Sequence, residues 1–475
     1  MTRKTKIVAT LGPASTGKEV LKEMIIQGLN VCRLNFSHGS YEDHAKTVET
    51  IREIDKELGK HTAILVDLQG PKIRVGEMEN NGVELVNDAE FSFTTTEKIV
   101  GTKDRAYMSY QTFPKDVKAG EKILLDDGKL MLEVVETNGK DLVKTKVLHG
   151  GILSSNKGVN LPNTKVSLPC LTEKDLADLN FALEQNVDWI GLSFVRSARD
   201  IIELRHIIQG KHKQSKIVAK IEKPEAIQDI EEIILATDAV MVARGDLGVE
   251  IPMQNVPLLQ KEIVKKCIYH AKPVIIATQM MESMITNISP TRAEVNDVAN
   301  AVLDGADAVM LSGETSVGKH PVKVIEAMGK IIDHVETNTD DIFYYERVPE
   351  KEDLRFITDS ICFNACRLSS RINANAIITM THSGYTAFKI SSQRPRSKVF
   401  VFTSNRYLLT RLSLVWGVET FYYDKTVSTD HTIADIKYLL QKSGKLSKGD
   451  LVINTASMPI EDQGSTNMLK LSYIE

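Results

Sequence analysis

The sequence predicts an α/β protein whose main domain is a (β/α)8 barrel, with a β domain inserted in one barrel loop and an open α/β domain at the C-terminal end. Eight short runs rich in Ile and Val alternate with longer segments of helical period, which is typical of a parallel sheet covered on both faces. After the third run the pattern changes to β structure. Beyond residue 352, strand and helix patterns alternate again, which indicates a separate domain.

The predicted barrel strands are apolar throughout, and each except the third is followed directly by a predicted helix. Two of those helices begin with a capping pattern, Thr172 with Asp175 and Thr291 with Glu294. Eight such units closing on themselves make a TIM barrel, predicted here over residues 1–70 and 168–336. Its strands are predicted at 6–11, 30–35, 63–68, 188–194, 216–221, 239–243, 273–278 and 308–312.

The inserted β domain is predicted over residues 71–167. Its strands at 122–125, 130–135 and 142–147 are joined by the turn pairs Asp127-Gly128 and Asn138-Gly139. A domain in a loop at the active end of a barrel is expected to act as a lid. A polar linker at 337–352 leads to the C-terminal domain, predicted over 352–475 with strands at 376–380, 398–403 and 450–454.

Composition excludes several classes of protein. The chain has 475 residues, 59 Lys and Arg, 63 Asp and Glu, and a formal charge of −4. This length and composition are typical of a globular protein, and they exclude a small disulfide scaffold and a disordered tail protein. No basic stripe suggests nucleic acid, and no apolar run approaches membrane-spanning length. The five scattered cysteines are interpreted as reduced thiols, so the expected location is the cytoplasm.

Charged and polar residues follow the predicted strands at the end where barrel active sites lie. Glu222 and Asp246 end successive strands about 4.8 Å apart, so both carboxylates could bind one hard cation, Mg²⁺ or Mn²⁺. The alternative is one ion pair each, to Lys220 and Arg244. The remaining strand ends supply Arg33, Asn35, Ser37, His38, Asp67, Ser193, Arg196, Thr278, Ser312 and Glu314.

Lys220 lies among apolar neighbours, where a charged ammonium is costly without an anionic partner. A bound phosphate would be such a partner. Gly245 and Asp246 begin a loop whose free backbone N–H groups could bind a carboxylate or phosphate. Arg33, Arg74, Lys157 and Arg196 are expected to add positive charge around the same mouth.

Specific motifs over nearly the whole predicted barrel and at the end of the inserted domain resemble the pyruvate kinase family. They are KIVATLGPAS (6–15), CRLNFSHG (32–39), KGVNLP (157–162), AKIE (219–222), MVARGDLGVEIP (241–252), ATQMMESM (277–284), PTRAE (290–294) and LSGET (311–315). The resemblance implies phosphoryl transfer from phosphoenolpyruvate to ADP, giving pyruvate and ATP in glycolysis. It also implies a homotetramer.

The resemblance assigns a role to each site residue. Glu222 and Asp246 would hold Mg²⁺, and Lys220 would stabilise the transferring phosphoryl group and the enolate. Thr278 would belong to the path that protonates the enolate, and Arg33 would contact the migrating phosphoryl group. The amides of Gly245 and Asp246 would bind the substrate carboxylate. The nucleotide side would comprise Asn35, Ser37, His38, Arg74 and Lys157.

The resemblance also implies a site for a monovalent cation, at which this sequence departs from the family pattern. The family's potassium site corresponds to Asn35, Ser37, Asp67 and the carbonyl of Leu68, but Lys72 follows Gly70-Pro71 where potassium-dependent members have glutamate. A fixed positive charge there would repel a second cation. We therefore predict activity without added potassium.

An effector site is implied in the last domain. The loop from Thr381 to Thr386 resembles the family's sugar-phosphate loop, and its hydroxyls and glycine suit a phosphate. His382 stands where relatives activated by fructose bisphosphate carry lysine, so a sugar phosphate and a nucleotide both remain open, as does an ordinary capped helix. The implied effector residues are Thr381, Ser383, Gly384 and Thr386.

Two other functions are compatible with a metal and a lysine at a barrel mouth. A Mg²⁺-dependent barrel lyase or aldolase acting on a keto acid would also place an enolate beside a metal and a lysine. A catalytically silent metabolite sensor would keep the barrel without its chemistry. The nucleotide-side residues argue against the lyase, and the presence of Lys220, Glu222, Asp246 and Thr278 argues against the sensor.

Overall fold

The structure is a computed structural model that describes residues 3–343, 345, 347–425, 428–458 and 464–475. Residues 1 and 2 of the predicted barrel range lie outside the described residues, as do 344 and 346 of the predicted linker. The same holds for 426, 427 and 459–463 of the predicted C-terminal range. Every predicted site residue lies within the described part of the chain.

The chain begins with the first three strands of the barrel. The second helix starts after a capping box between Ser40 and Asp43 and ends at Gly59, whose φ of 62° is left-handed. These elements are β1 (Lys6–Thr10), α1 (Lys18–Ile26), β2 (Val31–Asn35), α2 (Tyr41–Leu58) and β3 (Ala63–Asp67).

The inserted segment folds around its own core, which includes Phe91, Phe93 and Phe113. It forms a six-stranded sheet in the order β11-β7-β8-β9-β5-β6 and a two-stranded sheet of β10 with β4. The elements are β4 (Gly82–Leu85), β5 (Glu90–Thr94), β6 (Arg105–Tyr107), α3 (Phe113–Asp116), β7 (Lys122–Leu125), β8 (Leu130–Thr137), β9 (Leu142–His149), β10 (Gly151–Ser154) and β11 (Val159–Asn160).

The chain then returns to the barrel. The two predicted capping boxes, at Thr172 and Thr291, are both formed. The elements are α4 (Glu173–Glu184), β12 (Trp189–Leu192), α5 (Ala198–Gly210), β13 (Lys216–Ile221), α6 (Pro224–Gln228), α7 (Ile230–Ala236), β14 (Ala239–Ala243), α8 (Arg244–Glu250), α9 (Val256–Tyr269), β15 (Val274–Ala277), α10 (Arg292–Leu303), β16 (Ala308–Leu311), α11 (Gly313–Ser316) and α12 (Pro321–Asn338).

Eight parallel strands close into a barrel in the order β1-β16-β15-β14-β13-β12-β3-β2, which confirms the predicted fold class. Side chains alternate along each strand, so Val8 joins the inner cluster while Ile7 and Ala9 pack outward against the helices. Leu414, from the C-terminal domain, belongs to the inner cluster as well. Because all the strands run the same way, their carboxyl ends meet at one mouth.

The last domain is a five-stranded sheet in the order β19-β18-β17-β20-β21, in which only β21 is antiparallel. Strands β19 and β21 were not predicted from the sequence. The elements are α13 (Phe356–Arg371), β17 (Ala376–Met380), α14 (Tyr385–Ser392), β18 (Lys398–Thr403), α15 (Arg406–Arg411), β19 (Val418–Tyr422), α16 (Thr429–Lys442), β20 (Leu451–Ala456) and β21 (Met468–Tyr473).

The structure bears on two expectations from composition, the state of the cysteines and the length of apolar helices. All five cysteines are buried and free of disulfide bonds. In the described residues, no helix has both the length and the apolar character needed to span a membrane.

Candidate active site

Lys220 lies near the carboxyl end of β13 and is buried at the barrel mouth. Its Nζ lies 2.9 Å from Glu222 Oε1 and 3.3 Å from Asp67 Oδ1. It also donates a hydrogen bond to Ser193 Oγ at 2.7 Å. Burial would lower the pKa of this ammonium, but the charges of Asp67 and Glu222 outweigh burial and raise the pKa above its ordinary value. Lys220 is therefore a fixed positive charge.

Asp67 also binds a second positively charged side chain, Arg33, from the neighbouring strand. Arg33 Nε donates to Asp67 Oδ2 at 2.9 Å, and Arg33 Nη1 donates to Thr10 Oγ1 at 2.8 Å. Burial would raise the pKa of the Asp67 carboxyl, whereas the charges of Lys220 and Arg33 lower it below the usual value. One carboxylate thus orients two positively charged side chains that the sequence placed on different strands.

Glu222 and Asp246 are the two carboxylates predicted to bind a metal. Glu222 is 1% exposed, and its Oε2 accepts the backbone N–H of Phe194 at 2.8 Å. Burial raises the pKa of the Glu222 carboxyl, and although Lys220 opposes this, the nearby charge of Asp246 adds to it. Asp246 is half-buried, and its carboxylate makes no hydrogen bond or ion pair with the described residues.

The donor set fits a hard divalent cation that keeps other ligands. Two carboxylates in mutual repulsion, one of them without a partner, are stabilised by a cation placed near both. Within the described residues no cluster of three or more His, Cys, Asp or Glu side chains could hold a metal ion. Mg²⁺ prefers six oxygens, so water and substrate would supply the rest.

Thr278 follows β15 with a φ of 71°, which is a strained conformation for a β-branched residue and costs about 1–3 kcal/mol. Its Oγ1 accepts the backbone N–H of Gly245 at 2.7 Å and donates to the carbonyl of Ala277 at 2.5 Å. A Cβ added to Gly245 would lie 3.4 Å from Thr278 Oγ1, which is ordinary van der Waals contact, so the loop of Gly245 packs closely against Thr278. Strain of this kind is typical of functional sites.

Arg244 supports this strained loop. Its Nη2 donates to the carbonyl of Thr278 at 2.8 Å, and its guanidinium pairs with Asp297 at 2.6 Å. The expected alternative, an ion pair between Arg244 and Asp246, is therefore not formed, whereas the pair of Lys220 with Glu222 is. No sequence pattern identified Asp297, because it lies in the middle of α10.

The predicted nucleotide-side residues fall into two groups. Asn35, Ser37 and His38 follow β2, where Asn35 Oδ1 accepts the N–H of Ser37 at 3.1 Å. Arg74 and Lys157 lie together in the inserted domain, on adjacent extended segments bridged through Gly158. The Arg74 guanidinium donates to the carbonyl of Asn156 at 2.9 Å, and Lys157 pairs with Asp126 at 2.8 Å.

Two strand-end residues hold loops instead of facing a ligand. Arg196 donates to the carbonyls of Val166 and Leu168, at 2.7 and 2.8 Å, in the segment that leads from the inserted domain back to the barrel. These hydrogen bonds do not remove the guanidinium charge, and its contribution at the mouth stays a prediction. Glu314 accepts the N–H groups of Met281 and Ser312.

Protein groups already bind the oxygens of three of the four residues of the implied potassium site, Asn35, Asp67 and Leu68. The carbonyl of Leu68 accepts Ser193 Oγ–H at 2.7 Å, and Asp67 pairs with Arg33 and Lys220. Lys72 makes no ion pair among the described residues, and its side chain runs past Gly158, where an added Cβ would lie 3.6 Å from Lys72 Cε.

The loop before α14 lines a cavity of about 610 Å³ in the C-terminal domain. Thr381 Oγ1 accepts the N–H of Gly384 at 3.0 Å, and Thr386 Oγ1 lies 2.8 Å from Thr466 Oγ1. Lys425 and Arg355 line the same cavity and supply positive charge.

Comparison with known proteins agrees with this geometry. The family model for the pyruvate kinase barrel domain matches residues 2–325, and that for the pyruvate kinase alpha/beta domain matches residues 359–472. A pyruvate kinase of Geobacillus stearothermophilus is 44% identical, over 100% of this chain and 81% of its own. One of Corynebacterium glutamicum is 43% identical, over 100% and 98%.

A solved structure points the same way. The crystal structure of a pyruvate kinase from Cryptosporidium parvum superposes with a TM-score of 0.93 at 35% sequence identity and covers 100% of this chain and 97% of its own. The barrel, the paired charges at its mouth and these full-length similarities agree, and the chain belongs to the pyruvate kinase family of phosphotransferases.

Proposed function

We propose that the barrel mouth transfers the phosphoryl group of phosphoenolpyruvate to ADP through the residues that surround Lys220. The observation that carries this proposal is the buried Lys220 ammonium, fixed between Asp67 and Glu222 beside the unpartnered Asp246 carboxylate. Phosphoryl transfer depends mostly on positioning and on neutralising oxygen charge, which this arrangement suits.

The chain's own residues divide the work. Lys220 and Arg33 stabilise negative charge on the migrating phosphoryl group, and Lys220 also stabilises the enolate. The backbone amides of Gly245 and Asp246 bind the substrate carboxylate; for this the Gly245 N–H exchanges its present acceptor, Thr278 Oγ1. To take part in protonating the enolate carbon, the Thr278 hydroxyl would redirect the hydrogen that it now donates to the carbonyl of Ala277.

Glu222 and Asp246 would hold Mg²⁺ or Mn²⁺. When bound, the ion supplies positive charge that neutralises the oxygens of the substrate and of the developing enolate. Asn35, Ser37, His38, Arg74 and Lys157 form the nucleotide side, and potassium is not required. The nucleotide side argues against a lyase, which needs no nucleotide. The presence of Lys220, Glu222, Asp246 and Thr278 argues against a silent sensor.

Regulation and assembly belong to the same proposal. Thr381, Ser383, Gly384 and Thr386 would bind a phosphate of a sugar phosphate or nucleotide effector, supported by Lys425 and Arg355 in the same cavity.

The edge strand β21 exposes Leu471 and Tyr473, which suits an interface within a homotetramer. Five buried free thiols suit the reducing cytoplasm.

A coupled assay of pyruvate formation tests the proposal. We expect pyruvate only when phosphoenolpyruvate, ADP and Mg²⁺ are all present, and full loss when EDTA removes the metal. Candidate sugar phosphates are added in separate arms. Pyruvate formation that continued without ADP would contradict phosphoryl transfer to a nucleotide.

A further inference from the structure

Glu250, the last residue of α8, contacts both the barrel and the inserted domain. Its side chain is 1% exposed, and one carboxylate oxygen, Oε1, accepts two hydrogen bonds. Lys223 Nζ donates from the barrel at 2.5 Å, and Asn160 Nδ2 donates from the inserted domain at 2.8 Å. The other oxygen, Oε2, is buried and has no hydrogen-bond partner among the described residues.

The barrel side of this cluster leads to the metal and substrate residues. Lys223 directly follows Glu222, and its Nζ lies 5.9 Å from the centre of the Phe194 ring. The backbone N–H of Phe194 in turn binds Glu222 Oε2. Glu250 ends the same short helix that contains Gly245 and Asp246, so a shift of Glu250 moves the end of that helix.

The other side of the cluster leads to the nucleotide residues. Asn160 lies three residues after Lys157, on β11, which pairs with β7. The turn after β7 provides Asp126, the partner of Lys157. The same turn lies close to α8, since a Cβ added at Gly128 would lie 3.6 Å from Val249 Cγ1. The inserted domain therefore binds Glu250 at the end of α8 and lies close to Val249 beside it.

We propose that Glu250 is a positioning residue that, through Lys223 and Asn160, couples binding at the nucleotide side to binding at the metal and substrate side. A carboxylate bound to both domains holds Lys157 in a fixed relation to the helix of Gly245 and Asp246. Occupation of one half of the site then favours the arrangement that binds the other half, which is a reciprocal coupling of two affinities. This inference rests on the proposed function.

The experiment measures that coupling in the full-length enzyme. The dissociation constant of ADP is determined by calorimetry without oxalate and with Mg²⁺ and oxalate, a dicarboxylate that occupies the substrate side. For the wild type we expect ADP to bind about fivefold more tightly, or better, when oxalate is present. In Asn160→Ala the factor should fall towards one, while the affinity for oxalate with Mg²⁺ alone changes less than twofold.

Substitution of Glu250 tests the hydrogen bond itself. Glu250→Ala removes the acceptor that Asn160 and Lys223 share, so its coupling factor should fall as far as that of Asn160→Ala. The double variant Asn160→Ala with Glu250→Ala should show no further loss. A wild-type factor in Glu250→Ala, or a further loss in the double variant, would show that Asn160 does not act through Glu250 and would overturn the proposal.

Matched controls separate this role from general stability. Asn138→Ala changes the same residue type in a remote hairpin of the inserted domain, where Asn138 binds Asp141. Glu326→Gln removes a carboxylate that pairs with two lysines on the exposed face of α12. Both should keep the wild-type factor, whatever happens to the unfolding temperature.

The outcomes are distinct from those for the function itself. A wild type that forms no pyruvate would reject the proposed function. If the wild type is active but oxalate does not change its affinity for ADP, only the coupling is rejected. The coupling is also rejected if Asn160→Ala has the wild-type coupling factor. A variant that merely unfolds at lower temperature with unchanged coupling would make Glu250 a structural residue and overturn the proposal.

Discussion

Lys220 keeps its charge in a buried position because two carboxylates and a hydroxyl lie within 3.3 Å of its Nζ. Asp67 ends β3, whereas Ser193 and Glu222 directly follow β12 and β13. A lysine with so little exposure would otherwise lose its proton. The cost of burying the ammonium is therefore offset before any substrate binds, and the charge is ready for an anionic oxygen.

We expect Lys220→Met to lower kcat by about 10²–10³-fold or more, because the migrating phosphoryl group and the enolate lose a fixed positive charge. Mg²⁺ affinity should change little. The measurement is steady-state pyruvate formation together with Mn²⁺ titration. Lys216→Met, at the other end of β13, is the matched control and should keep near-normal kcat. Near-normal kcat in Lys220→Met itself would reject the assigned role.

Potassium dependence is a second residue-scale prediction. The carbonyl of Leu68 and the carboxylate of Asp67 already bind protein donors, so the wild type should be equally active in K⁺ and Na⁺. Lys72→Glu replaces the positive charge that follows Gly70-Pro71 with a negative one and should make activity rise when K⁺ replaces Na⁺. Strong stimulation of the wild type by K⁺ would contradict the prediction.

The sequence identified which residues gather at the mouth but not which of them pair. Strand ends follow from apolar runs, so Lys220, Glu222 and Thr278 were predicted from position. Partner choice depends on side-chain direction in three dimensions. Arg244 turned towards Asp297, and Arg196 turned towards the carbonyls beside the inserted domain. Neither direction is encoded in local spacing.

Among the elements, β12 shows why strand ends are hard to predict. The apolar run suggested a strand over 188–194, but the strand ends at Leu192. Phe194 has a φ of 54°, which breaks the extended backbone and turns its N–H towards Glu222. A requirement of the site overrides the β preference of the residue.

Two strands of the last domain were missed for a different reason. In β19 only Val418 is buried, and β21 is an edge strand in which Lys470 and Ser472 interrupt the apolar pattern. Strands that are buried except at one end residue, such as β17 and β18, gave continuous apolar runs and were predicted with the observed bounds. Edge position, and not weak pairing, accounts for the difference.

The capping box of α10 gives an element-scale prediction. Thr291 Oγ1 accepts the N–H of Glu294, and Glu294 also binds Ser283 in the loop beyond Thr278. Thr291→Ala should lower the free energy of unfolding by about 1 kcal/mol, measured by denaturant titration. Thr291→Ser retains the hydroxyl and is the control. Equal loss in both variants would mean that the cap does not contribute.

At the scale of the molecule, the barrel and the last domain meet around buried lysines. Lys4 Nζ donates to the carbonyl of Ser397 at 2.6 Å, and Lys6 Nζ donates to that of Val418 at 2.8 Å. Burial lowers the pKa of Lys4 to about 7 and that of Lys6 to about 8, although Glu336 opposes the shift at Lys4 and Glu419 opposes it at Lys6.

The junction should therefore respond to pH. The pKa of Lys4 in the folded state lies below its unfolded value of 10.5, so the folded chain binds fewer protons between those values. Stability then rises with pH from about 7 upward, and the penalty of burying the charge is fully present below pH 7. The apparent unfolding temperature of the wild type, minus that of Lys4→Met, should become more positive between pH 7 and 9.

The exposed Lys330→Met is the control for that titration, because its side chain is 74% exposed on α12. Its difference from the wild type should stay constant over the same range. A constant difference for Lys4→Met as well would contradict the predicted shift at the junction.

Leu414 comes from a segment far along the chain, yet its side chain sits among the innermost residues of the barrel, beside Val8 and Leu65. The neighbouring Ser413 hydroxyl is tied to the carbonyl of His61, just ahead of β3. A chain that ended after α12 would lack Leu414, and the inner residues of the barrel that it covers would be exposed to solvent. The barrel therefore depends on the last domain for part of its core. A chimeric protein that keeps the barrel should also keep residues 412–414.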